Sequence, residues 1–272
     1  MSFPSASAAT ARSSADGAGT ADRVGAAFIV LLTFPHSGAE ALSDQLSSLP
    51  DIACTSRTGL VPLCHGAAGT WENIERRGGK RPSRVAAASI RSLVSQMLCV
   101  LAADSGGRRW CETVVSGTLA AETFLQIFPA TRFICFYRSC DSVIADVLGK
   151  NPWGLGDTDF WSHYTAGQGN SVATIAAYWA ERTQGLLDFE AAHAPSSMRM
   201  RLEDLEHGDG GEIDSLLEFL AVSPIPEADL PPAPGAGLSA PVPTGAMLAG
   251  RIPPVIRQHV NELHTRLGYP TL

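Results

Sequence analysis

No apolar run in this 272-residue chain approaches the roughly 20 consecutive residues needed to cross a bilayer, so the sequence predicts no membrane span. The longest candidate, residues 26–34, has the length of a buried strand. Residues 2–26 are rich in Ala, Ser, Gly and Thr and lack the apolar centre of a secretory signal. Arg12 and Arg23 sit among small residues, as in a transit peptide, but Asp16 and Asp22 oppose that reading. Residues 1–26 are expected to be a disordered tail. The six cysteines include no C-x-x-C pair and no metal-ligand spacing. No metal is expected, and a reducing, cytoplasmic compartment fits best.

A surplus of basic charge is also lacking. The formal net charge is −7 and the pI is about 5.5, which opposes a general nucleic-acid binder or a protein of anionic membrane surfaces. Any anionic ligand must be captured locally, against the overall field. There is no G-x-x-x-x-G-K-[ST], so an ordinary ATP- or GTP-hydrolysing loop is not expected. The missing Lys-[ST] pair and the want of a clear metal-binding aspartate also argue against a small-molecule kinase. No internal repeat is found.

What is present is an ordinary globular composition. Hydrophobic residues make up 45% and charged residues 17%, which excludes wholesale disorder and permits a sizeable core. The run AFIVLLTF at 27–34 is continuous and β-rich, as expected of a central parallel strand buried on both faces. Ala41, Leu42, Leu46 and Leu49 then share one helical face, and Pro50 stops that helix. Further helices are predicted at 84–101, 118–128, 140–148, 172–192, 212–220 and 254–267, and strands at 110–115, 132–137 and 198–202. Residues 58–84, 151–169 and 223–243 read as loops. Alternating strands and helices predict a single α/β domain over 27–272, with ligands at the carboxyl ends of the strands.

Three segments suggest where such a ligand sits. Thr33-Phe34-Pro35-His36-Ser37-Gly38 leaves the first strand for a helix, and Gly38 permits close backbone approach; such a turn presents N–H groups to an anion. Arg138 ends the strand at 132–137, and Ser139, Asp141 and Ser142 open the next helix; an arginine there can grip a phosphate through a bidentate fork. Met200-Arg201-Leu202-Glu203-Asp204-Leu205 follows a helix bearing Tyr178 and Trp179, of which Trp179 reads as core and the two carboxylates as structural acceptors.

The order of these segments resembles the PAPS-dependent sulfotransferases, in particular bacterial members. That family carries a PKSGTT- or PRSGTT-like loop, an FPxARFIxLxRDPxD-like strand, a Trp-bearing helix and an RYEDL-like strand. The matching stretches are TFPHSGAEAL, FPATRFICFYRSCDSVIAD and YWAERTQGLL followed by MRMRLEDL. WCETVVSG looks like the WVERSG-type strand of one bacterial group, and IPPVIRQHVNELHTRLGYP is similar to the closing helix. The resemblance implies a three-layer, P-loop-like fold with a central parallel sheet. It further implies transfer of a sulfuryl group from PAPS, as donor substrate, to a hydroxyl or amine of a small molecule or glycan, without a metal.

By the same resemblance, Pro35, His36, Ser37, Gly38, Ala39 and Glu40 cradle the 5′-phosphosulfate. Arg138 with Ser142 or Ser139 would hold the 3′-phosphate, over which Arg251 closes. The chain departs from the pattern in several places. The loop's Lys or Arg falls on His36, which could serve when protonated, and its threonines fall on Ala39 and Glu40. A carboxylate at Glu40 facing a phosphate at ~4 Å would cost roughly 4 kcal/mol at an effective dielectric of ~20. The phosphate-binding Ser falls on Asp146. Relatives often take a base from the stretch after the first helix; here residues 50–57 offer no Glu, which leaves His65 and Glu112 as candidates, while Arg57 could meet sulfuryl oxygens. The acceptor pocket is expected from 58–84 and 151–169. The alternative is a non-catalytic binding protein that keeps the fold.

Overall fold

The computed structural model describes residues 28–56, 58–78, 83–104, 108–115, 117–150, 170–207, 211–222, 248 and 250–272. The predicted tail at 1–26, the loop at 151–169, the stretch 223–243 and Arg57 lie outside these residues.

Strand β1 (Ile29–Thr33) is buried along its whole length, which is why its sequence is apolar without alternation. It lies at the centre of a five-stranded sheet with β2 (Ile52–Ser56), β3 (Arg109–Val115), β4 (Arg132–Tyr137) and β5 (Ser197–Arg201), in the order β2-β3-β1-β4-β5. All four pairings are parallel, and Ile29 is in register with Cys111 on one side and Arg132 on the other.

Successive residues of a strand face opposite sides, so the sheet supports two cores. Ile29, Leu31, Ile134 and Phe136 pack against α1 (Ala39–Ser47), α7 (Leu202–His207) and α8 (Gly211–Leu220). Val30, Leu32, Phe133, Cys135 and Tyr137 face the other layer. That layer holds α2 (Leu60–Gly78), α3 (Ser83–Asp104), α4 (Thr118–Ile127), α5 (Cys140–Lys150), α6 (Ser171–Ala192) and α9 (Pro254–Leu267). The result is the three-layer α/β arrangement expected.

Three elements were not predicted: strand β2, helix α2 and the six-residue helix α7. Strand β2 has only five residues, IACTS, at the sheet edge, where Cys54 and Thr55 are partly exposed. Its apolar signal is correspondingly weak. Most of the loop predicted at 58–84 is the 19-residue helix α2. Pro62, Gly66 and Gly69 hide it in the sequence, yet Pro62 falls in the first turn, where a helix needs no N–H. The start of α2 is held by a distant group: Glu112 on β3 accepts hydrogen bonds from Thr58 Oγ1, Gly59 N and Val61 N. A cap supplied from about 50 residues away leaves no local signature.

Candidate functional site

The carboxyl ends of β1, β3 and β4 open into a cavity of about 440 Å³, lined by the 34–38 loop, the first turns of α1, Thr113, Val115, Arg138, Asp146, Lys150 and Leu202. The loop is shaped by two left-handed residues, His36 at φ 64° and Gly38 at φ 79°. Gly38 is doubly required, because a Cβ there would also stand 2.7 Å from Leu202 Cδ2. Thr33 Oγ1 lies 2.5 Å from Ser37 Oγ and 3.2 Å from Phe136 O. A chain in which Ser37 donates to Thr33, and Thr33 to the β4 carbonyl, satisfies both hydroxyls and ties the loop to the sheet. Helix α1 begins at Gly38 with no side-chain cap, so its first N–H groups point toward the cavity end of the helix dipole.

Besides Glu40 and Asp44 of α1 itself, four charged or titratable side chains stand around that helix end. His36 Nδ1 is 2.6 Å from Asp146 Oδ2, and Lys150 Nζ is 2.9 Å from the same oxygen. Arg138 Nη1 donates to the His36 carbonyl at 2.9 Å and lies 3.9 Å from Asp146 Oδ1. Burial raises the Asp146 carboxyl, but hydrogen bonds from Lys150 and His36 and the charges of Lys150 and Arg138 outweigh it. The group therefore titrates below its ordinary value and is a carboxylate at neutral pH.

A buried scaffold holds these groups in place. Trp179 Nε1 donates to the Arg138 carbonyl at 2.9 Å. Glu203 accepts from Ser139 N and from Tyr269 Oη, both at 2.9 Å, joining α7, the start of α5 and the segment after α9. Asp204 pairs with Arg201, which also donates to the Leu267 carbonyl. Trp179 is fully buried, and both carboxylates act as structural acceptors, as expected.

Of the candidate site residues, Pro35, His36, Ser37, Gly38, Ala39, Glu40 and Arg138 share the cavity, and Asp146 joins them. Ser142, Arg251, His65 and Glu112 do not line it. Ser142 Oγ accepts from Ser139 Oγ at 2.8 Å. Arg251 meets Asn170 through its backbone carbonyl. His65 lies on the exposed side of α2, with Nδ1 3.0 Å from Thr123 Oγ1. Glu112 is buried and spends both oxygens on the start of α2; burial raises its carboxyl despite those hydrogen bonds. Lys150 is the residue sequence reasoning missed. Its signal was the i,i+4 spacing from Asp146, concealed because α5 was expected to end at 148. Among the described residues, no group of three or more His, Cys, Asp or Glu is placed to hold a metal ion, and no helix is long and apolar enough to cross a membrane.

Comparison with known proteins gives this architecture a context. A family model described as the sulfotransferase family matches residues 28–226, well over half of the chain. No curated protein sequence matches. Among solved structures, a sulfotransferase domain from the curacin biosynthetic pathway is similar at 16% identity and TM-score 0.60, covering 90% of this chain and 99% of that one. A sulfotransferase domain of the Synechococcus PCC 7002 olefin synthase is similar at 15% identity and TM-score 0.54, covering 89% and 94%. A mouse sulfotransferase complexed with PAP is similar at 12% identity and TM-score 0.50, covering 94% and 91%. At these identities the structures speak for the fold.

Proposed function

The chain belongs to the sulfotransferase family, and on that premise we propose that it moves a sulfuryl group from PAPS to a hydroxyl or amine of a small molecule or glycan. The observation that carries this reading is the convergence of an uncapped helix start, His36, Arg138 and Lys150 on one cavity at the strand ends. In a chain of net charge −7, the backbone N–H groups at the helix start, Arg138 and Lys150 are the local groups that would draw a polyanion, against the carboxylates of Glu40, Asp44 and Asp146 in the same lining.

In this reading the loop and the first N–H groups of α1 hold the 5′-phosphosulfate, and the Arg138 fork takes the 3′-phosphate. During transfer the bond between sulfur and the bridging oxygen breaks as the acceptor's oxygen or nitrogen bonds to sulfur. The electron pair stays on the bridging oxygen, where an N–H of protonated His36 meets the developing charge. The acceptor's proton leaves to a base. His65 and Glu112 are separated from the cavity side chains, so the reading assigns the donor half of the site and not the base.

One observation favours a second reading, a binding protein without turnover. Glu40 lines the cavity and Asp146 already engages its positive groups, so both oppose a polyanion. Calorimetric titration with PAP, with ATP as control, tests the first reading. Micromolar binding of PAP alone supports it, and binding without transfer to any of a broad acceptor panel moves the case to the second. Failure to bind PAP removes the donor site altogether.

A further inference from the structure

We propose that Asp146 is a positioning residue for His36, and that the two form one donor-facing unit in place of the Lys and Ser of the family pattern. The inference rests on the PAPS-binding reading above. The two residues are 110 positions apart in sequence, yet their side chains meet at 2.6 Å, each about 15% exposed (14% and 15%). They stand at the two positions where this chain departs from the family's Lys and its phosphate-binding Ser. A change at one site alone would leave either a histidine of free orientation or a carboxylate facing an incoming phosphate. Found together, each supplies what the other lacks.

The geometry gives each partner a task. With Nδ1 2.6 Å from the Asp146 carboxylate, the His36 ring is held in one orientation at the cavity wall. A carboxylate that fixes one imidazole nitrogen while the other meets the reacting group is a general way of orienting a working histidine. Lys150 at 2.9 Å and Arg138 at 3.9 Å offset the negative charge of Asp146. Among the described residues, Glu40 and Asp44 face the same cavity from α1 and add two carboxylates to the lining that His36 shares. A lysine would bring a flexible ammonium to the bridging oxygen; the histidine brings a planar ring whose direction the carboxylate sets.

The test is a double-substitution cycle on PAP affinity, comparing the unsubstituted protein with His36→Lys, Asp146→Ser and the two combined. In the presence of Asp146, the new ammonium pairs with that carboxylate and PAP affinity changes little. Combined with Asp146→Ser, the same substitution strengthens PAP binding about ten-fold, a coupling of about 1.4 kcal/mol. Asp146→Asn preserves shape, and thermal melting of every variant reports folding separately. Equal effects of His36→Lys in both backgrounds, within about two-fold, overturn the pairing and leave the PAP-binding reading intact. Absence of PAP binding by the unsubstituted protein overturns that reading, and this inference with it.

Discussion

The indole Nε1 of Trp179 donates a 2.9 Å hydrogen bond to the backbone carbonyl of Arg138, fixing the residue that turns the chain out of β4 into the site. Trp179 is fully buried, so its indole is shielded from water. Trp179→Phe keeps most of the packing and removes the donor. An unpaired buried carbonyl costs about 1–3 kcal/mol, so the denaturant midpoint should fall accordingly. PAP affinity should drop several-fold as Arg138 loses its mooring. A variant of unchanged stability would show that the carbonyl finds another donor.

Arg138→Ala should weaken PAP binding about ten- to 100-fold, the range for losing charge-assisted hydrogen bonds to a phosphate. Arg138→Lys retains a charge without the planar fork and should fall between. Calorimetry at a fixed salt concentration gives both values. Unchanged affinity in the alanine variant would remove the phosphate assignment, and leave Arg138 its bond to the His36 carbonyl and its pairing with Asp146.

Glu40 is exposed, lines the cavity and sits in the first turn of α1, where a carboxylate favours the empty helix but opposes a bound anion. Glu40→Thr should strengthen PAP binding about three- to ten-fold at low salt, less at high salt, because exposed charges are screened. The same substitution should leave stability slightly lower. If affinity is the same at every ionic strength, the Glu40 carboxylate is turned away from the phosphates.

The loop and the Arg138 strand end were legible in the sequence because they are local: a buried strand, a turn with a glycine, and an arginine before a helix start. Strand β4 and helix α9 fall where the periodicity places them, over Arg132–Tyr137 and Pro254–Leu267. What escaped depends on groups far apart in the chain. Helix α2 is capped by Glu112, and the contact of His36 with Asp146 spans 110 residues. In the sequence, His36 and Asp146 stood as separate departures from the family pattern and Glu112 as a candidate base. Only the parallel order β3-β1-β4 brings the loop after β1 beside α5 and makes one cluster of them.

His264 offers a pH test away from the site. Its ring is 1% exposed, with Nε2 accepting from Cys140 N at 3.2 Å and Nδ1–H donating to the Pro270 carbonyl at 2.6 Å. That pattern requires the neutral ring. Burial lowers its pKa below 6.5, partly offset by the Pro270 carbonyl, Asp141 and Glu203. The unfolded chain therefore takes up a proton near pH 6.5 that the folded chain resists. Stability should be constant in this respect above that pH and fall progressively below it. His264→Asn, which does not titrate, should have lower stability at neutral pH but a flatter decline on acidification. Parallel declines in both proteins would mean that another group governs the acid limb.

The last prediction concerns the paired thiols of the sheet. Cys54 and Cys111 are register partners on β2 and β3, facing α1. A hydrogen bond from the Cys111 thiol lowers the Cys54 pKa below its ordinary value; hydroxyls of Ser47 and Ser43 assist, while burial and Asp44 oppose them. Burial pushes Cys64 up to about 12, and raises Cys135 and Cys140; Cys111 is raised chiefly by its bond to Cys54 and then by burial. Since the thiolate is the nucleophile, Cys54 should react first with iodoacetamide among these five in the folded protein, as read by mass spectrometry of the labelled peptides. Cys111→Ala removes the thiol donor and should slow that labelling at neutral pH while leaving it unchanged at strongly alkaline pH, where Cys54 is ionised regardless. Slower labelling at both pH values would instead point to reduced access, and equal rates in both proteins would show that the hydrogen bond does not hold the thiolate.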